Sequence, residues 1–286
     1  MQQNTKLTVL LIACLALLDV ALWWEVVQKP AEAATLSILD VGQGDATLLE
    51  LEHKVAILTD AGPDKSVVGA MGRAMPSGKK SIDLAIITHP QQDHYNGFNF
   101  LLGAYRIGAF IINGRDAAEA SEWTALHARA KKEKIPIIAL QAGDSIRYKD
   151  TSITFLSPGE EYRESAELND TGLVGRIITE DFTALLVADV GYAIENFLMK
   201  KGENLRADVL KIGHHGSRFS SSEAFLRSVN PMIATIGVGQ KNRYGHPTKE
   251  TLRRIEEAGA KIFRTDMQGN IRISVVKGKA RVVTER

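Results

Sequence analysis

Five of the seven histidines in the chain fall in three short motifs. The motifs are THPQQDH at residues 88–94, KIGHHGS at 211–217 and YGHP at 244–247. Asp189 stands in a comparable place, directly after an apolar segment. Imidazole and carboxylate groups in such clusters are typical ligands of Zn, Mn or Fe. Two metals that share a carboxylate would activate a water molecule and polarise a phosphoryl or carbonyl oxygen.

Each of these groups follows, or lies close to, a segment with the pattern of a β-strand. The predicted strands that precede them cover 83–88, 182–187, 209–212 and 232–236. Helices are predicted between and after them, for example at 123–133 and 249–258. Strands come first along the chain and then alternate with helices, an order that predicts an α/β fold with two sheets and helices outside. The ends of strands are where α/β folds build their sites.

The chain has 286 residues, of which 44% are hydrophobic and 24% are charged, as is typical of a folded globular protein. Its length fits one large domain or two small ones. A formal net charge of +1 argues against a surface that is basic throughout, but it allows a local basic groove. The single cysteine, Cys14, excludes an intrachain disulfide and a cysteine-rich zinc site, so any metal must be held by histidine and carboxylate.

The N-terminal region has the composition of a targeting segment. Residues 7–27 are mostly apolar and long enough to span a bilayer, and Lys6 precedes them. Residues 1–34 are therefore predicted to be a signal sequence or a membrane anchor containing one apolar helix. The domain at 35–286 would be membrane-anchored and face the outside of the cytoplasm, or it would be secreted after cleavage. The alternative is that residues 7–27 form a buried helix of the main fold.

Further motifs give the chain a family resemblance. They are LDVGQGDA at residues 39–46, DAGP at 60–63, Asn169-Asp170, HHGS at 214–217 and GHP at 245–247. Over residues 36–273 the chain resembles the metallo-β-lactamase superfamily and, within it, the extracellular hydrolase domain of the ComEC competence family. The resemblance implies that residues 35–286 form a four-layer αββα metallo-β-lactamase-like sandwich with a metal site between the loop ends of its two sheets. It also implies a hydrolase, most simply of a phosphodiester.

The resemblance further implies one or two divalent metals, Zn or Mn, at that site. The metal ligands that it assigns are His89, Asp93, His94, Asp170, Asp189, His215 and His246. One of the last two histidines would complete the site to which Asp93 belongs. Asp93 and Asp189 would be the catalytic residues, with Asp93 orienting the attacking hydroxide and Asp189 bridging the two metals.

Gln91 departs from the family pattern, which has histidine or aspartate at this position. His89 and Gln91 would belong to one metal site, with Asp170 nearby. A neutral amide is a poorer ligand for Zn or Mn than a carboxylate or an imidazole, so this site is expected to be weakened. The other site, which includes Asp93 and His94, keeps its predicted ligands.

Other residues near the motifs are candidates for contacting a substrate. They are Asn169, His214, Ser217 and Tyr244, of which Ser217 and Tyr244 could donate hydrogen bonds to a developing oxyanion. Five cations lie within or beside the histidine motifs: Lys211, Arg218, Lys241, Arg243 and Lys249. A site entrance lined by these cations would favour the binding of phosphate groups. The alternative is that these cations are ordinary solvated side chains.

Together these features predict a metal-dependent hydrolase, a phosphodiesterase or nuclease that acts outside the cytoplasmic membrane and is linked to DNA uptake. Its predicted partners are a phosphodiester substrate such as DNA, the membrane if residues 1–34 are uncleaved, and a separate channel protein. One alternative is a catalytically degenerate binding protein with the same fold, in which Gln91 has replaced a metal ligand. Another is a hydrolase of a different ester, such as a lactone or a phosphocholine ester.

Overall fold

The computed structural model describes residues 33–52, 55–276 and 279–286, together with residues 12, 14, 15 and 19. The chain divides into two compact units, residues 1–33 and residues 34–286. Residues 12, 14, 15 and 19 are helical, and the rest of the predicted targeting segment up to residue 32 lies outside the described residues. A signal sequence or anchor at 1–34 therefore stays a prediction. Among the described residues, no helix combines the length and hydropathy that crossing a bilayer requires.

Eight strands form the first sheet of the second unit. They are β1 (Thr35–Ile38), β2 (Thr47–Leu51), β3 (Val55–Thr59), β4 (Ser81–Ile86), β5 (Arg106–Ile112), β6 (Ile137–Ala139), β14 (Ile271–Val276) and β15 (Lys279–Thr284). Their order across the sheet is β15-β14-β1-β2-β3-β4-β5-β6. Strands β3 to β6 run parallel, and Thr59 is in register with Ile86. The loops that follow β3 and β4 therefore leave the sheet side by side.

Seven strands form the second sheet. They are β7 (Ser145–Tyr148), β8 (Thr151–Ser157), β9 (Val174–Ile178), β10 (Thr183–Leu186), β11 (Val209–Lys211), β12 (Ile233–Ile236) and β13 (Lys261–Arg264). Their order is β13-β12-β11-β10-β9-β8-β7, and β10 to β13 run parallel. Leu186, Lys211 and Thr235 are in register across β10, β11 and β12. The loops after these three strands therefore leave from one edge.

Helices cover the outer face of each sheet. They are α1 (Ser66–Ala74), α2 (Gln92–Tyr95), α3 (Phe98–Leu101), α4 (Ser121–Lys132), α5 (Tyr192–Lys201), α6 (Glu223–Val229), α7 (Lys249–Glu257) and α8 (Thr265–Gln268). Buried side chains of α1 to α4 pack with those on one face of the first sheet. Buried side chains of α5 to α7 pack with those on one face of the second sheet.

The remaining face of each sheet packs against the other sheet. Alternation along β2 shows how the sequence achieves this: Leu49 and Leu51 belong to the core between the sheets, whereas Leu48 packs with the helices. Ile57 in the first sheet and Ile177 in the second belong to the same central core. The αββα sandwich predicted from the sequence is therefore confirmed.

Candidate metal centre

The loop that follows β4 brings two histidines and an aspartate to the end of the first sheet. His89 and His94 are fully buried, whereas the side chain of Asp93 is 33% exposed. The loop after β1 packs closely against this segment, because a Cβ on Gly44 would lie 2.4 Å from the backbone oxygen of Asp93. Gly44 also has a φ of +153°. A glycine is thus required for the close approach that supports Asp93.

The second sheet supplies Asp189 and His215 from the loops after β10 and β11. Asp189 follows Ala188, whose φ is +47°. His214 and His215 lie in the 3-10 turn Gly213–Gly216 with φ values of +48° and +52°. Left-handed conformations of non-glycine residues cost about 1–3 kcal/mol each and persist where the surrounding structure enforces them, as is common at functional sites.

Four side chains from these loops converge. Asp93, His94, Asp189 and His215 each place one ligand atom within 4.8 Å of the others. The Nε2 atoms of His94 and His215 both lie 3.3 Å from Oδ2 of Asp189. His215 Nε2 is also 3.3 Å from Oδ2 of Asp93. Two histidine nitrogens among carboxylate oxygens form a ligand set that suits a divalent transition metal.

Unpaired buried atoms support a metal at this position. Asp189 Oδ1 and His94 Nε2 are buried, and neither has a partner in hydrogen-bonding geometry among the described residues. Buried polar atoms are rarely left in this state, and an ion is one of the usual reasons. The residues present therefore fit a bound cation.

Groups outside the cluster orient its two histidines. Nδ1 of His94 lies 2.8 Å from Oδ2 of Asp60, and Nδ1 of His215 donates to the backbone oxygen of Gly237 at 2.8 Å. Thr88 holds Asp60 in place, because it donates to that carboxylate from its backbone nitrogen at 2.9 Å and from its hydroxyl at 2.8 Å. A histidine bound through Nδ1 presents Nε2 in a fixed direction, which is the arrangement found around protein metal sites.

The same contacts set the charges of the cluster. Burial disfavours the charge on Asp189, but His215 and His94 hold the pKa of its carboxyl well below the usual range. Burial also disfavours protonation of the two histidines, yet Asp189 and one further buried carboxylate raise the pKa of each well above its usual value. Burial disfavours the charge on Asp93, but the hydrogen bond with His215 and the charges of His94 and His215 together lower its pKa to about 2. Protons on the two histidines thus balance the negative charges of the carboxylates. A bound cation would supply positive charge in place of these protons.

His89 and Gln91 form a separate pair beside this cluster. The ring centres of His89 and His94 are 4.2 Å apart, and burial together with His94 lowers the pKa of His89 to about 3. His89 is therefore neutral at physiological pH. Its Nε2 lies 3.1 Å from Oε1 of Gln91, and its Nδ1 lies 3.0 Å from the Thr88 hydroxyl. The pair can offer a metal one nitrogen and one amide oxygen, but no charge.

The cluster opens into a cavity of about 790 Å³. Four other residues predicted as site residues line it: Asn169, His214, Tyr244 and His246. The His246 ring lies 5.7 Å from that of His214, and burial and His214 lower the pKa of His246. Among the described residues, the converging group of four does not include His246. Lys241 and Arg243 line the same cavity.

Asp170 and Ser217 are not among the described residues that line the cavity. Asp170 is half-buried in the 3-10 turn Leu168–Thr171, where burial raises the pKa of its carboxyl. Ser217 is buried, and its Oγ accepts a hydrogen bond from the backbone nitrogen of Phe219 at 3.3 Å. Metal ligation by Asp170 and substrate contact by Ser217 stay predictions that this geometry does not support.

Three buried charged residues lie beside the cluster, and the sequence-based interpretation gives two of them, Asp45 and Asp60, no site role. Asp60 directly follows β3 and Asp45 lies in the loop before β2; with His94 they form a second group that could hold a metal. Nζ of Lys211 contacts a carboxylate oxygen of Asp45 and lies 4.0 Å from Asp189 Oδ1. Lys211 is 3% exposed, so the expectation that it is a cation at the mouth is wrong. Position directly after a strand is a signal that points to Asp60, whereas Asp45 is marked only by its place in the LDVGQGDA motif.

We expect Lys211→Met to destabilise the fold strongly. Removal of the ammonium leaves the buried Asp45 without its nearest countercharge, since His215 Nδ1 lies 3.3 Å away, and breaking a buried ion pair in this way costs about 3–5 kcal/mol. The double variant Asp45→Asn/Lys211→Met removes both charges and should recover most of that loss. Urea denaturation of the full chain measures both variants. A Lys211→Met variant as stable as the parent would show that the pair does not support the fold.

Comparison with known proteins places these features in a family. The family model of the metallo-beta-lactamase superfamily matches residues 39–239. ComE operon protein 3 of Bacillus subtilis (strain 168) is 30% identical over 253 residues, which cover 82% of this chain and 32% of the relative. Competence protein ComA of Neisseria gonorrhoeae is 28% identical over 254 residues, which cover 87% of this chain and 33% of the relative. The chain spans about a third of the length of these two relatives.

A solved structure supports the same assignment at the level of the fold. The metallo-beta-lactamase fold protein YhfI from Bacillus subtilis matches with a TM-score of 0.53 and 13% sequence identity. The match covers 87% of this chain and 100% of that protein. The chain therefore belongs to the metallo-β-lactamase superfamily, with competence proteins of the ComEC family among its relatives.

Proposed function

We propose that the chain is a metal-dependent phosphodiesterase of the nuclease type. The superfamily consists mostly of metal-dependent hydrolases, and the cluster of two aspartates and two histidines supports a metal-dependent reaction in this chain. The observation that carries the proposal is that this cluster opens into a cavity lined by Lys241 and Arg243. Cations at the mouth of a metal site favour an anionic phosphodiester over a neutral ester.

The cluster residues are the proposed metal ligands. Asp93, His94, Asp189 and His215 would hold one divalent cation, and Zn and Mn both accept such ligands. When bound, the metal supplies a water of lowered pKa and polarises a phosphoryl oxygen. A second metal would depend on the uncharged pair His89 and Gln91, so its affinity is expected to be lower.

The chain's own side chains have distinct roles in the proposed reaction. Asp93 is ionised at neutral pH and lines the cavity, so its carboxylate can orient the attacking water. Asn169 lines the same cavity and can donate hydrogen bonds to substrate oxygens. Lys241 and Arg243 would attract the phosphate backbone, and their contribution should weaken as salt concentration rises.

Metal content and hydrolysis of the purified full chain test the proposal together. Elemental analysis after titration with Mn or Zn should find bound metal, and bis(p-nitrophenyl) phosphate and DNA should be hydrolysed when metal is present. A lactone and a phosphocholine ester are offered in parallel. Preferential hydrolysis of either would overturn the proposed substrate class. A chain that takes up no metal even in excess would overturn the hydrolase itself.

A second candidate function is binding without catalysis, and the contact between His89 and Gln91 favours it. Nε2 of His89 and Oε1 of Gln91 lie 3.1 Å apart, within hydrogen-bonding distance. A hydrogen bond between them would occupy both groups on which the second metal would depend. Tight DNA binding by the metal-loaded chain, with no cleavage of any phosphodiester, would favour this function over the first.

We also propose that the domain at 35–286 acts outside the cytoplasmic membrane. The apolar composition of residues 7–27, with Lys6 before them, supports a signal sequence or anchor. Protease added to intact cells should digest an outward-facing domain. Digestion that occurs only after lysis would overturn this location.

A role in DNA uptake, with a separate channel protein as partner, completes the proposal. The similarity to ComE operon protein 3 and competence protein ComA supports it. Cells that lack the chain should take up DNA poorly and should recover when the chain is supplied again. Unchanged transformation in its absence would separate the hydrolase from DNA uptake.

A further inference from the structure

Two aromatic rings stand out because they are exposed on loops that flank the metal cluster. Phe219 is 60% exposed and Tyr244 is 70% exposed, the highest values for aromatic residues in the part of the chain that the structure describes. Phe219 lies just beyond the turn that carries His215, and Tyr244 lies just before His246. Tyr244 lines the cavity, whereas Phe219 is not among the described residues of its wall. Exposure of large apolar rings to water is unfavourable, so two such rings on neighbouring loops point to a ligand that covers them.

The Phe219 ring is held on a fixed support. The backbone oxygen of Phe219 accepts a hydrogen bond from Tyr192 N at 3.0 Å, and its nitrogen donates to Ser217 Oγ at 3.3 Å. The preceding carbonyl, that of Arg218, accepts from Tyr192 Oη at 2.5 Å and from Arg254 Nη2 at 3.1 Å. The Arg218 guanidinium lies 4.7 Å from the ring centre of Phe219. A cation therefore covers one face of the ring, which leaves the other face for a ligand.

The Tyr244 ring has a similar arrangement. It stacks on the His246 ring, with centres 6.0 Å apart and planes inclined by 20°. The side chain of Asn242 closes the loop, because it donates to the His246 carbonyl at 2.8 Å and accepts from the His246 nitrogen at 3.0 Å. The His246 ring lies 5.7 Å from His214, whose ring lies 6.2 Å from that of His215. A series of rings thus connects Tyr244 to the metal cluster.

The two loops that carry the exposed rings are packed together. Thr248 N donates to the backbone oxygen of Gly216 at 3.0 Å, and the Thr251 hydroxyl donates to that of Ser217 at 2.9 Å. A Cβ on Gly216 would lie 2.5 Å from Cβ of Pro247, so only glycine allows this contact. The two loops are therefore fixed against each other, so their backbone loses little conformational entropy when a ligand binds.

The charges on this surface select the kind of ligand. Arg218, Lys241 and Arg243 are exposed, and none of them forms an ion pair with another described residue. Unpaired cations beside open aromatic faces are the combination that binds single-stranded nucleic acid, in which phosphates meet the cations and bases stack on the rings. In a duplex the bases are already stacked on one another, so the rings would gain nothing.

We propose that Phe219 and Tyr244 stack on bases of a single-stranded nucleic acid and hold it across the metal cluster. Arg218, Lys241 and Arg243 bind the backbone between the stacked bases. The inference rests on the proposed phosphodiesterase and deepens it, because it names an unpaired strand as the substrate. It also assigns Tyr244 a stacking role in place of the oxyanion contact expected from the sequence.

Fluorescence anisotropy with labelled strands tests the inference on the full chain. The probes are an oligothymidylate roughly 12 nucleotides long, an abasic strand of equal length and a duplex of equal length. A chelator prevents cleavage during the measurement. The parent chain should bind the oligothymidylate at least about 10-fold more tightly than the abasic strand, because each stacked base contributes separately. Equal affinity for the two strands would overturn the inference.

Variants of the two rings give the second readout. Phe219→Ala and Tyr244→Ala should each weaken binding of the oligothymidylate by about 5- to 100-fold, and Phe219→Tyr and Tyr244→Phe should retain it. Phe100, a 43% exposed ring on α3 rather than on the two packed loops, provides the matched control. Phe100→Ala should bind like the parent chain. Undiminished binding by both Phe219→Ala and Tyr244→Ala would contradict stacking.

Failure of this inference is distinguishable from failure of the proposed function. If metal-loaded chain hydrolyses phosphodiesters but binds the abasic strand as tightly as the oligothymidylate, the stacking surface is wrong and the hydrolase stands. If binding depends on the bases and on both rings but no phosphodiester is hydrolysed, the stacking surface stands and the hydrolase is wrong.

Discussion

Asp93→Asn is expected to lower the rate of phosphodiester hydrolysis by about 10²- to 10⁴-fold, the contribution typical of a group that positions or accepts a proton in the transition state. Asparagine keeps the size of the side chain and one of its oxygens. It removes the negative charge, which a pKa of about 2 ensures at neutral pH in the parent chain. It also weakens the contact with Nε2 of His215, 3.3 Å away. Steady-state kinetics with bis(p-nitrophenyl) phosphate and saturating Mn measure the loss.

Asp181 offers a matched control for this variant. It is exposed on the turn before β10, at the opposite end of that strand from Asp189. Asp181→Asn makes the same chemical change and should hydrolyse the substrate at the parental rate. Because the Asp93 side chain is partly exposed, Asp93→Asn should keep the parental circular dichroism spectrum. A folded Asp93→Asn chain with parental activity would exclude the proposed role of Asp93.

Gln91→Asp is expected to strengthen metal binding beside His89 by on the order of 10²-fold. The change adds a negative charge where Oε1 of Gln91 lies 3.1 Å from His89 Nε2. A unit charge acting over about 4 Å contributes about 4 kcal/mol at an effective dielectric constant near 20, and desolvation of the new carboxylate offsets part of this. Isothermal titration with Mn measures the affinity, and elemental analysis measures the number of metals per chain.

Gln92→Asp is the control for charge alone. Gln92 is the next residue and is exposed, so its carboxylate would add the same charge to the cavity without facing His89. Gln92→Asp should change metal affinity much less than Gln91→Asp. The same pair of variants separates the two candidate functions. Activity that appears only in Gln91→Asp would identify the parent chain as a binding protein, whereas an active parent chain favours the phosphodiesterase.

The architecture is predictable from sequence where its signals are local. Each histidine motif lies shortly after an apolar segment, and the structure has β4, β11 and β12 at those places. Helix α1 is not predicted from the sequence, because Gly69 and Gly72 lower its helix propensity. Its stability comes from burial of Val67 and Met71 against the first sheet. Strand β7 is not predicted either, because its side chains are exposed or half-buried and show no apolar pattern.

The candidate site is predictable in its residue types and less so in its contacts. Asp93 and His215 are 122 positions apart in sequence, so only the family resemblance, and no spacing rule, placed them together. The contact of Asp60 with His94 depends on the parallel pairing of β3 with β4. The burial of Lys211 depends on the approach of two sheets. Long-range contacts of this kind leave no local pattern in the chain.

The four proposed ligands come from both sheets, so metal binding is coupled to folding of the chain. Asp93 and His94 come from the first sheet, and Asp189 and His215 come from the second. A cation held by all four is a cross-link between the two halves of the sandwich. Because it binds only the assembled chain, it adds about 4 kcal/mol of stability when free metal is 1,000 times its dissociation constant. A chain in which only one sheet has folded would lack half of these ligands, so the proposed hydrolase would bind its metal only after both sheets are in place.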